Sequence, residues 1–166
     1  MSQTFSLTPH ETVTVRERSP DALVVEGRWG PNGSAPPPHF HPGQDERFEV
    51  LEGELTAVVD GEERKLGPGA VLEVPRGAVH KMWNSGGGET GALWRTSPAG
   101  RTFEWFEALD DLIRRHPPGR AGISSPTRLA ALLSEYDDVI RLSAGPRVLV
   151  GPVLAGLAAV GRRQGP

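Results

Sequence analysis

Three of the five histidines in this chain lie in two short stretches, and one of these stretches also carries a glutamate. In the first stretch a single residue separates His39 from His41, and Glu46 follows beyond a Pro-Gly turn. Alternate side chains of an extended strand point to the same face, so His39 and His41 are expected to share one face. In the second stretch a Pro-x-Gly turn delivers His80 onto another strand. If both strands face one interior, three imidazoles and one carboxylate can converge there.

The chemistry of these four side chains predicts a metal site. Nitrogen and hard oxygen donors without sulfur suit one divalent first-row transition metal, namely iron, manganese, nickel, cobalt, copper or zinc. The chain has no cysteine, so thiolate ligands, cysteine nucleophiles and disulfides are excluded. Four protein ligands leave one or two positions open, where a substrate oxygen or dioxygen can bind. Glu46 is also the predicted catalytic residue, because a carboxylate that leaves the metal can act as a general base.

Apolar residues accompany the predicted ligands on the same strand faces. By alternation, Phe48 and Val50 share a face with Glu46, and Met82 shares one with His80. In a small barrel, residues in such positions belong to the core, to a pocket, or to both. We predict that Phe48, Val50 and Met82 line a substrate pocket. This pocket would accept a small apolar or aromatic molecule that presents a chelating pair of oxygens.

The first part of the chain has the pattern of a mainly β protein. It contains many of the 21 glycines and 16 prolines, which lie between short apolar runs and indicate tight turns. An Asp60-Gly61 pair predicts a two-residue hairpin turn that leads into a strand over Glu62–Leu66. The other predicted strands are Thr12–Arg18, Ala22–Trp29, Glu46–Leu51, Glu54–Asp60, Ala70–Val74, Val79–Asn84 and Thr90–Thr96.

The remaining residues have a helical pattern. Apolar residues recur every three or four positions over Arg101–His116 and again over Pro126–Leu142, which predicts two amphipathic helices. The apolar segment Val148–Gly161 predicts a third, shorter helix. We therefore expect a β-barrel domain in residues 1–98. A helical extension in residues 99–166 would pack on the barrel or across a dimer, without supplying metal ligands.

The two histidine stretches resemble the paired motifs of the cupin superfamily. The first motif reads G, five residues, HxH, three or four residues, E, six residues, G, and its positions are filled by Gly33, His39, His41, Glu46 and Gly53. The second reads G, five residues, PxG, two residues, H, three residues, N, and its positions are filled by Gly69, Pro75, Gly77, His80 and Asn84. Fifteen residues separate the two motifs, a spacing similar to that of compact bacterial single-domain cupins.

The resemblance implies a fold, a ligand set and a range of activities. The expected fold is mainly β, a double-stranded β-helix or jelly-roll barrel followed by two or three C-terminal helices. The implied metal ligands are His39, His41, Glu46 and His80. The expected function is that of a metal-dependent dioxygenase similar to the flavonol- and acetylacetone-cleaving cupins. Two alternatives remain open: a non-redox isomerase or polyketide-cyclase-like enzyme, and a cupin that binds or senses a small molecule without turnover.

The sequence also predicts partners and location. A net charge of −3 and the lack of a basic helix-turn-helix pattern argue against a nucleic-acid partner. Val148–Gly161 is shorter than the roughly 18 residues that a membrane span needs, and the N-terminus lacks a signal-peptide pattern, so we expect a cytoplasmic protein. The β-rich segment Thr4–Arg18 would leave an exposed sheet edge in a monomer, which favours a homodimer.

Overall fold

The computed structural model describes residues 2–117 and 125–143. Strands fill the first hundred residues, two helices follow, and a short strand closes the described part. The elements are β1 (Thr4–Thr8), β2 (Glu11–Arg18), β3 (Leu23–Trp29), β4 (His39–Phe40), β5 (Asp45–Glu52), β6 (Leu55–Val59), β7 (Glu62–Leu66), β8 (Val71–Val74), β9 (His80–Trp83), β10 (Thr90–Ser97), α1 (Thr102–Arg115), α2 (Pro126–Glu135) and β11 (Arg141–Leu142).

The strands form two antiparallel sheets with jelly-roll connectivity. The order of the six-stranded sheet is β1-β2-β3-β10-β5-β8, and that of the five-stranded sheet is β11-β4-β9-β6-β7. Strands pair from the outside of the sequence inward, β3 with β10, β4 with β9, β5 with β8 and β6 with β7. Successive pairs alternate between the two sheets, as in a double-stranded β-helix. The predicted mainly β jelly roll with C-terminal helices is thus confirmed.

Most predicted elements agree with the structure to within one or two residues, but the second helix does not. It was expected to reach Leu142 and ends at Glu135. A turn follows, and Arg141 and Leu142 then pair with Phe40 and His39 of β4. The extended backbone at this point supplies hydrogen bonds to an otherwise open strand edge, which a helix could not do. The predicted third helix, Val148–Gly161, lies outside the described residues.

Two hydrophobic cores share the inner face of the six-stranded sheet. One lies between the sheets and includes Phe48 and Leu55. The other lies under the helices, where Phe5 contacts Phe103 edge-on at a ring-centroid distance of 5.4 Å. Trp94 of β10 packs against both cores. The helices therefore cover the part of the sheet interior that the five-stranded sheet leaves open.

One edge of the six-stranded sheet bears on the oligomeric state. Strand β1 is the first strand of the six-stranded sheet, so one of its edges carries no neighbouring strand among the described residues. The homodimer stays a prediction.

Neither of the described helices is long and apolar enough to cross a membrane.

Two motif glycines with the same backbone conformation allow a test of the packing at the sheet corner. Gly53 has φ +74° and Gly69 has φ +83°. A Cβ at Gly53 would lie 2.4 Å from the Glu89 carbonyl oxygen, whereas a Cβ at Gly69 would meet nothing within 4 Å. Both alanine substitutions incur the left-handed backbone penalty of about 1–2 kcal/mol. We expect Gly53→Ala to lower the free energy of unfolding in urea by distinctly more than Gly69→Ala. Equal losses would contradict this close approach.

Candidate metal centre

Neighbouring strands of the five-stranded sheet bring the three histidines together. His39 on β4 lies directly opposite His80 on β9, and their ring centroids are 4.5 Å apart. His41 follows β4 by one residue, and its ring centroid is 5.4 Å from each of the other two. One potential ligand atom from each histidine lies within 4.8 Å of the others. His41 and His80 are buried, and His39 is half-buried.

Backbone carbonyls fix the orientation of all three imidazoles. Each Nδ1 is paired with a main-chain oxygen, and the acceptors are Pro37 for His39 (3.2 Å), Val139 for His41 (2.7 Å) and Ala78 for His80 (3.0 Å). A ring whose Nδ1–H donates to a carbonyl presents the lone pair of its Nε2, which is the atom that binds a metal. The three rings are therefore held as Nε2 donors that face one another.

Glu46 enters the same cluster from the opposite sheet. It lies on β5, and its side chain is 1% exposed. Its Oε1 atom is 3.3 Å from Nε2 of His41, and its Oε2 atom is 3.0 Å from Nε2 of His80. The indole Nε1–H of Trp94 donates to Oε1 at 3.0 Å. The structure thus brings together all four predicted ligand residues.

The electrostatics of the cluster favour the metal-binding ionisation state at Glu46 and His39 and oppose it at His80. Burial alone would raise the pKa of Glu46, but the neighbouring His41 and His80 and the more distant His39 lower it to about 2. Burial and the neighbouring imidazoles lower the pKa of His39 to about 4. Burial also lowers the pKa of His80, but the neighbouring Glu46 carboxylate outweighs burial and raises this pKa overall. Near neutral pH the cluster therefore contains an ionised carboxylate and a neutral His39.

Two buried polar atoms in the cluster indicate that it is built for a cation. Nε2 of His41 and Oε2 of Glu46 are inaccessible to solvent and have no hydrogen-bond partner among residues 2–117 and 125–143. Buried polar atoms rarely stay unpaired, and both of these atoms face the centre of the cluster. Nitrogen and oxygen donors fit a divalent first-row metal. His39, His41, Glu46 and His80 are the residues that would hold it.

An apolar cavity of about 320 Å³ leads from the cluster toward the helices. Phe48 and Met82 line it, whereas Val50 lies in the core between the sheets and is not among the lining residues; that this cavity is a substrate pocket stays a prediction. Two sides of the wall were not anticipated. The helices contribute Trp105, Phe106 and Leu133, and the six-stranded sheet contributes Glu11, Trp29 and Trp94. The helix periodicity indicates that apolar side chains are buried, but it does not indicate that they surround an open space.

Glu11 is the second carboxyl group of this cavity. Burial raises its pKa to about 7, the Glu46 charge contributes to the rise, and the indole N–H of Trp29 opposes it. Nothing in the local sequence singles out this residue, because Glu11 is one of many acidic residues at a strand end. Its environment depends on the helices that close the cavity around it.

The family assignment agrees with this fold and site. A model of the cupin domain matches residues 25–94, a range that contains all four candidate ligands. KdgF from a Halomonas species superimposes with a TM-score of 0.55 at 21% identity, over 62% of this chain and 90% of that one, a likeness that concerns the fold alone. Residues 25–94 thus match the cupin domain in sequence, and the jelly roll that they form agrees with this match.

Two curated relatives are similar in sequence. Quercetin 2,3-dioxygenase of Bacillus subtilis (strain 168) is 35% identical over 71 residues, which cover 43% of this chain and 21% of that protein. An oxidoreductase of Arthrobotrys oligospora is 41% identical over 119 residues, which cover 64% of this chain and 44% of that protein. The chain spans less than half the length of these curated relatives.

Metal binding can be tested with one ligand and one control histidine. We expect the full chain to bind one Zn²⁺ tightly in calorimetry, and His41→Ala to weaken binding at least about 100-fold, because the remaining donors leave a coordination position unfilled. His10→Ala removes a histidine outside the cluster and should bind like the wild type. Affinity should fall as the pH is lowered, because the raised pKa of His80 makes protons stronger competitors. Equal binding by both variants would contradict the assignment.

The raised pKa of Glu11 predicts a pH-dependent stability. A carboxyl whose pKa is about 7 in the folded state and 4.5 otherwise binds its proton more tightly in the folded state. The contribution of Glu11 to the free energy of unfolding is therefore full below pH 4.5. It is lost as the pH rises to about 7, and the total loss is roughly 3 kcal/mol. The stability of the wild type relative to Glu11→Gln should decline over this range. The exposed Glu17→Gln on the same strand should show no such trend.

Proposed function

We propose that this cupin is a metal-dependent dioxygenase that acts on a flat aromatic or enolic molecule with a chelating pair of oxygens. The observation that carries this proposal is the position of the His39–His41–His80–Glu46 cluster at the wall of an aromatic-lined cavity of about 320 Å³. This volume lies within the range of small-molecule sites. The similarity to a quercetin 2,3-dioxygenase supports the same class of substrate.

The cavity walls are suited to hold a planar ring. The rings of Phe48 and Trp94 are stacked at a centroid distance of 5.2 Å, and Phe106 meets Trp94 edge-on at 5.3 Å. These rigid faces would orient an aromatic ligand and exclude water from the cluster. A bound divalent metal would polarise the substrate oxygens and, if redox-active, supply the chemistry of dioxygen.

Glu46 is the proposed proton acceptor. Its carboxylate stays ionised at neutral pH, since its pKa is about 2. Trp94 holds Oε1 by a hydrogen bond, while Oε2 has no hydrogen-bond partner within the described part of the chain. Because a carboxylate with so low a pKa is a weak base, the transfer of a proton from a substrate hydroxyl to Oε2 would require that a bound divalent metal acidify this hydroxyl. The removal of this proton creates the enolate that the two chelating oxygens share.

An oxygen-consumption assay tests this proposal. Protein loaded separately with iron, manganese, nickel, cobalt, copper or zinc is supplied with quercetin, 3-hydroxyflavone or acetylacetone. We expect at least one redox-active metal to support oxygen uptake with one of these substrates. Glu46→Gln should lower the rate about 10²–10⁴-fold, because it removes the general base. Glu49→Gln, an exposed change on the outer face of the same strand, is the matched control.

The outcome separates the proposal from its two alternatives. If no metal supports oxygen uptake but the zinc form converts an enolisable substrate, as seen by NMR, the dioxygenase proposal is overturned in favour of an isomerase or cyclase. If ligands bind and no form turns them over, the protein is a binding or sensing cupin.

A further inference from the structure

A second polar group lies in the wall of the cavity, on the six-stranded sheet. Glu11 on β2 and Trp29 on β3 are directly opposite partners in the strand register. Directly opposed residues of an antiparallel pair project from the same face of the sheet, with their Cβ atoms roughly 5 Å apart. Both side chains line the cavity that also contains His39, His80 and Glu46. A carboxyl group and an indole therefore lie side by side in a largely apolar space.

The indole of Trp29 is held in place by a glycine on its own strand. A Cβ at Gly27 would lie 2.6 Å from Cη2 and 2.9 Å from Cζ3 of Trp29, so the ring lies flat over residue 27 and needs a glycine there. Trp29 is 4% exposed, and its carbonyl oxygen accepts a hydrogen bond from the Asn84 side chain at 3.1 Å. The orientation of the ring is thus fixed by packing on one side and by the backbone on the other.

The Nε1–H group of Trp29 is a buried donor that forms no hydrogen bond within the described part of the chain. It lies near enough to the Glu11 carboxyl to lower the pKa of that group, but the two do not meet in hydrogen-bond geometry. Such a donor is costly to bury, and in a cavity wall it indicates a ligand atom that completes the pair. Its neighbour Glu11 is an acceptor, and burial raises the pKa of this carboxyl to about 7 although the Trp29 N–H opposes the rise.

One donor beside one acceptor is the complement of a hydroxyl group. A hydroxyl accepts a hydrogen bond through its oxygen and donates one through its proton, whereas a carbonyl or ether oxygen can only accept. We propose that Glu11 and Trp29 form a hydroxyl-binding subsite, in which a phenolic hydroxyl of an aromatic ligand accepts from Trp29 Nε1–H and donates to the Glu11 carboxyl. This inference deepens the proposed function and rests on it only in taking the cavity as the aromatic site. It narrows the substrates to phenols that carry a hydroxyl away from the chelating oxygens.

The test compares two small probes that differ by one hydroxyl group. The metal-free full-length chain, uniformly labelled with ¹⁵N, is titrated with p-cresol and separately with toluene. Of the four tryptophan indole signals, that of Trp29 is the one missing from Trp29→Phe. We expect p-cresol to shift this signal strongly and to bind about tenfold more tightly than toluene, as two modest hydrogen bonds allow. Toluene should move it little.

Two substitutions and two matched controls locate the effect. Trp29→Phe keeps an aromatic ring and removes the N–H, and Glu11→Met keeps the length of the side chain and removes both acceptor oxygens. Each should reduce the preference for p-cresol over toluene to about two- or threefold. Trp83→Phe removes the indole of β9, which is not among the residues that line the cavity, and Glu17→Met removes an exposed carboxyl on the same strand as Glu11. Both should keep the full preference.

Several results would overturn the subsite, and none depends on the metal. The inference fails if p-cresol leaves the Trp29 signal unmoved, if the two probes bind equally, or if the preference survives in both Trp29→Phe and Glu11→Met. If Trp29→Phe does not fold, Glu11→Met and the wild-type titration decide the question. Because the probes bind the metal-free chain, the absence of oxygen uptake by the loaded protein counts against the dioxygenase and leaves this result unaffected.

Discussion

A buried carboxylate is the constraint around which this molecule is organised. Glu46 is 1% exposed and ionised, and a lone charge in such a place would be strongly destabilising. Its compensation comes from His41 and His80 on the facing sheet and from Trp94 on a neighbouring strand. The two sheets must therefore meet at this point in one register. A one-residue slip of β5 would turn Glu46 outward and leave the imidazoles without an anion.

The helices complete the hydrophobic interior and also form one wall of the cavity. Without them, the inner face of the six-stranded sheet around Phe5 would be open to water. Trp94 contacts Phe48 on one side and Phe106 of α1 on the other, so the same ring belongs to the metal-side wall and to the helix-side core. A cavity that adjoins both is enclosed by elements from both parts of the chain. The helical part thus shapes the cavity although it contributes none of the four clustered side chains.

The sequence predicts the strands and the four clustered side chains because their signals are local. Alternation and turn residues mark the strands, and the spacing of His39 and His41 carries the motif. The cavity, in contrast, is formed by residues that are distant in the sequence, so no local pattern predicts it. Trp29 and Glu11 meet only through strand pairing, and the orphaned indole N–H arises from the packing of the whole wall. The predicted end of α2 is wrong for the same reason, because Leu142 pairs with His39, which lies far away in the sequence.

The hydrogen bond from His41 to the Val139 carbonyl joins residues that are 98 positions apart. A ribosome makes the two motif strands early and the segment around Val139 late, and domains fold as the chain emerges. Until that segment has left the exit tunnel, His41 has no acceptor for its Nδ1–H and its ring is free to turn. During synthesis, His41 is therefore present in the jelly roll before the carbonyl group that orients its ring. The orientation of His41 within the four-residue cluster is therefore complete only after the segment around Val139 has been synthesised and has docked beside β4.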